Sequence, residues 1–314
     1  MKKKAIIISI KGYNLSHKEK RLIKYEKPWG LILFKRNIIS LKQVKSLIRK
    51  IKILTKDPNF PILIDEEGGT VSRLSNIINH DFTQDLIGNI YKFNSKVSIN
   101  IYKKYIDNLN SILKSIGINI NTVPVLDVKR KITSSVIGDR SFSDKPDVVK
   151  KLGHICVKQY KKNKIGTVIK HIPGHGCTSF DSHHKTPKVT MNLHNLNKVD
   201  FFPFKNNSSQ FAMTAHILYS NIDKKNVATF SKKIVSQIIR KKIGFKGILI
   251  SDDISMKALK YDLVTNAKKS LIAGCNLVLY CAGNYKDCYK LIKAVPFIDA
   301  FTIKKTSEFY KFLR

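Results

Sequence analysis

The feature that most constrains this chain is a recurrence of short, continuous apolar runs. Eight of them occur, at 5–10, 30–34, 61–65, 120–128, 166–171, 211–216, 247–252 and 276–280, each dominated by Ile, Val and Leu. Runs of this kind read as strands of a parallel sheet buried on both faces, because a strand with one wet face would alternate apolar and polar residues. Between them lie longer segments, such as 41–54 and 100–116, whose apolar residues recur at helical spacing. Eight alternating units predict an α/β fold, a (β/α)8 TIM-type barrel forming one domain over residues 1–314. A doubly wound open sheet is the alternative, but no GxGxxG fingerprint follows the first run.

Composition bears on partners more than on fold. With 43% hydrophobic residues, the chain can bury a substantial core. Its 58 Lys and Arg outnumber 22 Asp and Glu, a formal net charge of +36. A nucleic-acid-binding protein would carry such an excess as a stripe or tail with interleaved aromatics. Here the lysines are scattered in short groups along the whole length, as on solvated faces filled by compositional drift. No specific nucleic-acid partner is therefore expected. The five cysteines, at 156, 177, 275, 281 and 288, form no CxxC pair or zinc-type spacing. They fit free thiols in a reducing cytoplasm. The basic start is followed by an apolar run too short for a signal peptide, and no stretch approaches the ~18 apolar residues of a membrane span. A cytoplasmic monomer with no membrane association is the expectation.

In a (β/α)8 barrel the chemistry gathers where the strands end. The third run leads into Asp65-Glu66-Glu67-Gly68-Gly69, with Arg73 shortly after. The fourth ends near Asp127 and precedes Gly138-Asp139-Arg140. The fifth ends in Lys170-His171, followed by Pro173-Gly174-His175-Gly176 and then Asp181-Ser182-His183-His184. The sixth ends at His216 and the seventh at Ser251-Asp252-Asp253. A lone acid after a strand is often just a helix N-cap. Titratable groups at five successive strand ends are harder to explain that way, since buried carboxylates are costly unless paired or reactive.

Asp181 and His183 are two residues apart, so an extended segment would project both side chains to one side. A carboxylate beside an imidazole fixes its tautomer and favours the proton-donating imidazolium. Gly174 and Gly176 give this loop backbone freedom. A carboxylate nucleophile on the seventh strand and a proton donor on the fifth loop would suit a double displacement, in which one group attacks while the other protonates the leaving oxygen and then activates water.

These stretches resemble glycoside hydrolase family 3, and within it the bacterial β-N-acetylglucosaminidases (β-hexosaminidases) of peptidoglycan recycling. The likeness runs through GLILFKRN (30–37), IDEEGGTVSRL (64–74), PVLDV (124–128), IGDRSFS (137–143), KHIPGHGCTSFDSH (170–183), MTAHI (213–217), GILISDDISM (247–256) and AGCNLVL (273–279). It implies that Asp252 is the nucleophile, His183 the acid/base and Asp181 its partner. It implies sugar-binding roles for Asp65, Arg73, Arg140, Lys170 and His171. Most other members use a glutamate from a second domain, so the expected single domain agrees with the histidine version. The implied substrate is N-acetylglucosamine β-linked to a 1,6-anhydro-muramyl sugar or its peptide. The implied reaction retains configuration through a covalent glycosyl-aspartate and needs no metal or organic cofactor. Two positions depart from the family pattern: Thr70 replaces a longer polar or basic residue, and Ile172 an aromatic. Both bear on substrate fit more than on chemistry.

Two other enzyme readings and one binding reading remain open on the residues alone. His171, His175, His183, His216 and Asp252 could ligate a metal, although Lys170 would place a cation among them. Lys170 could form an imine with a carbonyl substrate. The net charge could serve a polyanion, which would show as binding that weakens steeply with salt.

Overall fold

Each apolar run coincides with a strand, and the strands close on themselves. The computed structural model describes residues 2–78, 81–131, 133–134, 137–178 and 186–314. Its strands are β1 (Lys4–Ile8), β2 (Pro28–Leu33), β3 (Ile62–Ile64), β4 (Ile120–Asn121), β5 (Gly166–Ile172), β6 (Lys188–Val189), β7 (Phe211–Thr214), β8 (Leu218–Tyr219), β9 (Ile248–Asp253) and β10 (Leu277–Tyr280). Eight of them form a closed parallel barrel in the order β1-β10-β9-β7-β5-β4-β3-β2, sealed where Ile6 pairs with Val278 and Ile8 with Tyr280. The expected (β/α)8 TIM-type barrel is the fold. β6 and β8 pair separately as a short parallel ribbon.

The run at 120–128 yields only the short strand β4. Pro124 has no N–H to give the ladder, and beyond it the backbone touches β5 through a single bridge between Val125 and Lys170. This leaves 122–128 as an extended arm beneath the site.

Helices α1 (His17–Arg21), α2 (Leu41–Thr55), α3 (Gln84–Phe93), α4 (Ser95–Ile116), α5 (Pro146–Lys162), α6 (Leu193–Lys198), α7 (Leu263–Ala273), α8 (Tyr285–Ala294) and α9 (Ala300–Leu313) surround the barrel, with π-helical segments at Leu22–Glu26 and Ile234–Ile243. Their sequences explain their limits. The Ser40 side chain accepts from the Gln43 N–H to start α2, whose buried face is Val44, Leu47, Ile48 and Ile51. Gly117, at φ 93°, ends α4 in the left-handed conformation that glycine adopts without penalty. No helix among the described residues is long and apolar enough to cross a membrane.

Alternate residues of each strand serve two cores. Ile6, Ile8, Leu31, Leu33, Ile62 and Ile64 pack outward against the helices. Ile7, Trp29, Leu63, Val168, Phe211, Ile248 and Leu277 belong to a second cluster inside the barrel. Helix α9 joins that inner cluster. Phe309 meets Phe211 edge-on at 5.1 Å, and the Trp29 Nε1–H donates to Thr306 Oγ1 at 2.9 Å. The amino-terminal end of the barrel is thus stoppered by apolar side chains, leaving the carboxyl end for polar chemistry.

Candidate active site

At the carboxyl end, β3, β5 and β9 deliver charged residues into one cavity of about 210 Å3. That volume is below the ~300–1,000 Å3 of pockets for drug-sized ligands and suits a single sugar ring. Asp65, Arg73, Arg140, Lys170, His171 and Asp252 all line it. The structure therefore brings together six of the sequence-predicted residues. The other two, Asp181 and His183, lie outside the described residues.

The charges are arranged as a connected network. The Lys170 ammonium, almost fully buried, reaches Glu67 Oε1 at 2.6 Å, Thr122 Oγ1 at 2.8 Å and Asp65 Oδ1 at 3.2 Å. Glu67 also accepts from Arg140, at 2.8 Å from Nε and 3.0 Å from Nη2. The Arg73 Nη2 donates to Asp65 Oδ2 at 3.2 Å, and the Thr122 hydroxyl donates to Asp65 Oδ1. Burial by itself would raise the pKa of these acids. The Lys170 and Arg73 charges outweigh it at Asp65 and hold that carboxyl well below the usual range. Arg140 and Lys170 likewise outweigh burial at Glu67, bringing it down to about 2. Both stay ionised, so each cation is held in place by opposite charge.

His171 is oriented from behind. Its Nδ1 lies 2.7 Å from Asp127 Oδ2, and its backbone N–H points to the same carboxylate at 3.2 Å. Nε2 is left toward the cavity, 3.5 Å from Arg140 Nη2. Burial opposes the Asp127 charge, but His171 outweighs it and holds the carboxyl below its ordinary value. The ring of His175 sits edge-on to His171 at 5.7 Å, and burial lowers its pKa to about 4.

The neighbouring acids of β9 are driven apart. For Asp252, burial is outweighed by the His171 and His216 imidazoles, the Asp253 N–H at 2.8 Å and Lys170, so its pKa falls. For Asp253, burial wins and the pKa rises. Asp253 is turned to structural work: its carboxylate accepts from Ser255 Oγ at 2.7 Å, Ser255 N at 3.0 Å and Cys281 N at 3.3 Å. Its carbonyl meets His216 Nε2 at 3.0 Å, while Nδ1 of that ring is 2.7 Å from Thr229 Oγ1. Both acids line the cavity, and Asp252 is the one whose pKa is held below its ordinary value.

Glu66, between two pocket residues, serves the loop instead. Its carboxylate accepts from Ser72 Oγ and from the Arg73 and Leu74 N–H groups at 2.6–2.8 Å, folding 65–74 back on itself. Sequence reasoning did not single out Glu67 as the shared counter-ion or Asp127 as the orienting group for His171. The available signal was that both are acids at or just beyond the end of an apolar run in a chain short of acids.

The sequence and the fold are similar to those of known proteins. The Glycosyl hydrolase family 3 N terminal domain matches residues 2–304. A β-hexosaminidase of Nitrosomonas eutropha is 34% identical over 281 residues, covering 88% of this chain and 80% of the relative. One from Neisseria gonorrhoeae is 32% identical over 304 residues, covering 95% and 81%. The crystal structure of NagZ from Neisseria gonorrhoeae in complex with N-trifluoroacetyl-D-glucosamine matches with a TM-score of 0.89 at 28% identity, over 100% of this chain and 91% of that one. A family 3 β-N-acetylglucosaminidase from Paenibacillus matches with a TM-score of 0.88 at 25% identity, over 98% of this chain but only 60% of that longer protein. The chain belongs to glycosyl hydrolase family 3.

Proposed function

We propose that this glycoside hydrolase is a retaining exo-β-N-acetylglucosaminidase, with Asp252 as nucleophile and a single catalytic domain over 1–314. The observation that carries the reading is Asp252 itself: an ionised carboxylate at a strand end, facing a monosaccharide-sized cavity that also holds the paired Asp65, Glu67, Arg73, Arg140 and Lys170 beside apolar side chains such as Phe34, Met213 and Leu279. The β-hexosaminidase relatives and the glucosamine derivative bound by NagZ support the choice of sugar.

In the first step Asp252 attacks the anomeric carbon and forms a C–O bond while the bond to the aglycone breaks. His183, oriented by Asp181, gives its proton to the departing oxygen. In the second step water attacks the same carbon, His183 takes the proton, and the Asp252 carboxylate is released with configuration retained. Asp65 accepts from sugar hydroxyls, and Arg73, Arg140, Lys170 and His171 supply N–H donors, in positions preset by the ion-pair network. The physiological substrate we assign is N-acetylglucosamine β-linked to 1,6-anhydro-N-acetylmuramic acid and its peptides, taken up by a cytoplasmic monomer.

Purified protein should release nitrophenol from p-nitrophenyl β-N-acetylglucosaminide without added metal, and Asp252→Ala should abolish the release. Well-folded wild type that leaves both this substrate and muropeptides intact would overturn the assignment.

A further inference from the structure

The chain on either side of residues 179–185 is pinned by groups that none of the steps above uses. On the amino side the Gly174 carbonyl accepts from the Tyr219 hydroxyl, and the His175 N–H donates to Asp127 Oδ1. The Gly176 carbonyl accepts from Thr133 Oγ1 at 2.6 Å, and the Thr178 carbonyl from the Ser134 N–H at 2.8 Å. Thr133 itself is placed by the Arg130 N–H, which donates to its hydroxyl at 2.6 Å. On the carboxyl side, Thr186 Oγ1 donates to the Ala258 carbonyl at 2.7 Å, and β8 pairs with β6 so that Tyr219 serves both flanks.

Behind Gly174 stands Asp200, fully buried and paired with the Arg130 guanidinium. The approach is close: a Cβ on Gly174 would lie 2.9 Å from both the Cβ and the carbonyl oxygen of Asp200. Gly174 also holds φ at +139°, where other residues are strained. Taking two charges out of water costs several kcal/mol per ion, and a packed apolar pair would serve stability as well or better. Burial indeed pushes the Asp200 carboxyl up to about 6 despite its partner. What a charged pair adds over an apolar one is orientation.

We infer that the Arg130–Asp200 pair, acting with Thr133 and Tyr219, is a positioning clamp that sets the strand-proximal root of the segment carrying Asp181 and His183. The inference rests on the reading of His183 as acid/base. The clamp touches neither sugar nor nucleophile. It acts on proton transfer alone, by fixing where the loop leaves the barrel.

The test compares two N-acetylglucosaminides in Asp200→Asn, Thr133→Val and Tyr219→Phe. One carries a p-nitrophenyl aglycone, which departs with little protonation; the other carries an alkyl or sugar aglycone, which needs it. Misplacing a catalytic group by about 1 Å costs on the order of 100-fold. A loosened root should therefore lower kcat on the poor leaving group about 10-fold or more, with about 3-fold or less on nitrophenyl and KM little changed. Should Asp200→Asn fail to fold, the other two variants carry the test, since each deletes one hydroxyl. Equal losses on both substrates, or a lowered melting temperature with unchanged kinetics, would overturn the clamp. His183→Ala is the control. If it too shows no leaving-group dependence, the acid/base reading fails; if it does and the clamp variants do not, only the clamp falls.

Discussion

Replacing Glu67 by Gln removes a buried carboxylate that Lys170 and Arg140 share. Glu67 lies 2.6 Å from the Lys170 ammonium and 2.8 Å from Arg140 Nε, and its side chain is 2% exposed, so solvent screens little of the interaction. The fall of its pKa from 4.5 to about 2, at about 1.4 kcal/mol per pH unit, corresponds to about 3 kcal/mol of stability. Removing one partner of a buried ion pair typically costs ~3–5 kcal/mol. The amide oxygen of Gln can still accept one N–H, which places the loss near the lower end. Because the folded pKa is depressed, the stabilisation is complete above the unfolded value near ~4.3 and disappears as pH falls toward about 2. Urea denaturation at pH 7 should therefore show Glu67→Gln less stable by about 3 kcal/mol, with the gap narrowing as pH drops below about 4.5. The same variant releases Arg140 and Lys170 from their fixed positions, so KM should rise while Asp252 remains in place. A loss below about 1 kcal/mol at pH 7, or a gap that widens in acid, would refute the account of Glu67 as the network's shared counter-ion.

Three further outcomes are expected from the structure. Phe309→Ala opens the stopper beneath the barrel, where Phe309 contacts Phe211, and should cost ~3–5 kcal/mol in denaturation while kcat per folded molecule stays near wild type. Asp127→Asn withdraws the carboxylate that fixes the ring of His171 and should lower kcat/KM about 100-fold, measured on the nitrophenyl substrate. Asp252 is held below its ordinary pKa by His171, His216 and Lys170, so its ionised form persists as pH falls through 5. The kcat/KM profile should show no acid limb from Asp252 above pH ~4, and a limb above pH 5 that persists in His183→Ala would contradict this.

Much of the fold was legible because a strand buried on both faces must be continuously apolar, and each of the eight runs coincides with a barrel strand. The grouping of Asp65, Arg73, Arg140, Lys170, His171 and Asp252 was legible for a related reason: in this architecture strand ends converge. What escaped were roles that exist only between distant positions. Glu67 is an ordinary acid until Arg140, from the loop after β4, arrives beside it. Asp127 and Asp200 likewise gain their meaning from His171 and Arg130. The shortness of β4 came from Pro124, readable in principle but masked by the apolar residues around it. Ribbon β6–β8 is too short for any periodic signal.

The seam between β1 and β10 joins residues near the two ends of the described chain: Ile6 pairs with Val278, and Trp29 bonds Thr306. During synthesis at ~5–20 residues per second, β1 must therefore wait roughly 15–60 seconds for its partner. Throughout that time one edge of the nascent sheet stays open, with a fully apolar face on either side. Such an edge is a template for pairing with another chain. The dense lysine coat on the flanking segments then gains a use apart from any ligand: like-charged nascent chains repel before their edges meet. Ring closure makes the barrel's greatest exposure to aggregation an event in time, over once β10 has docked.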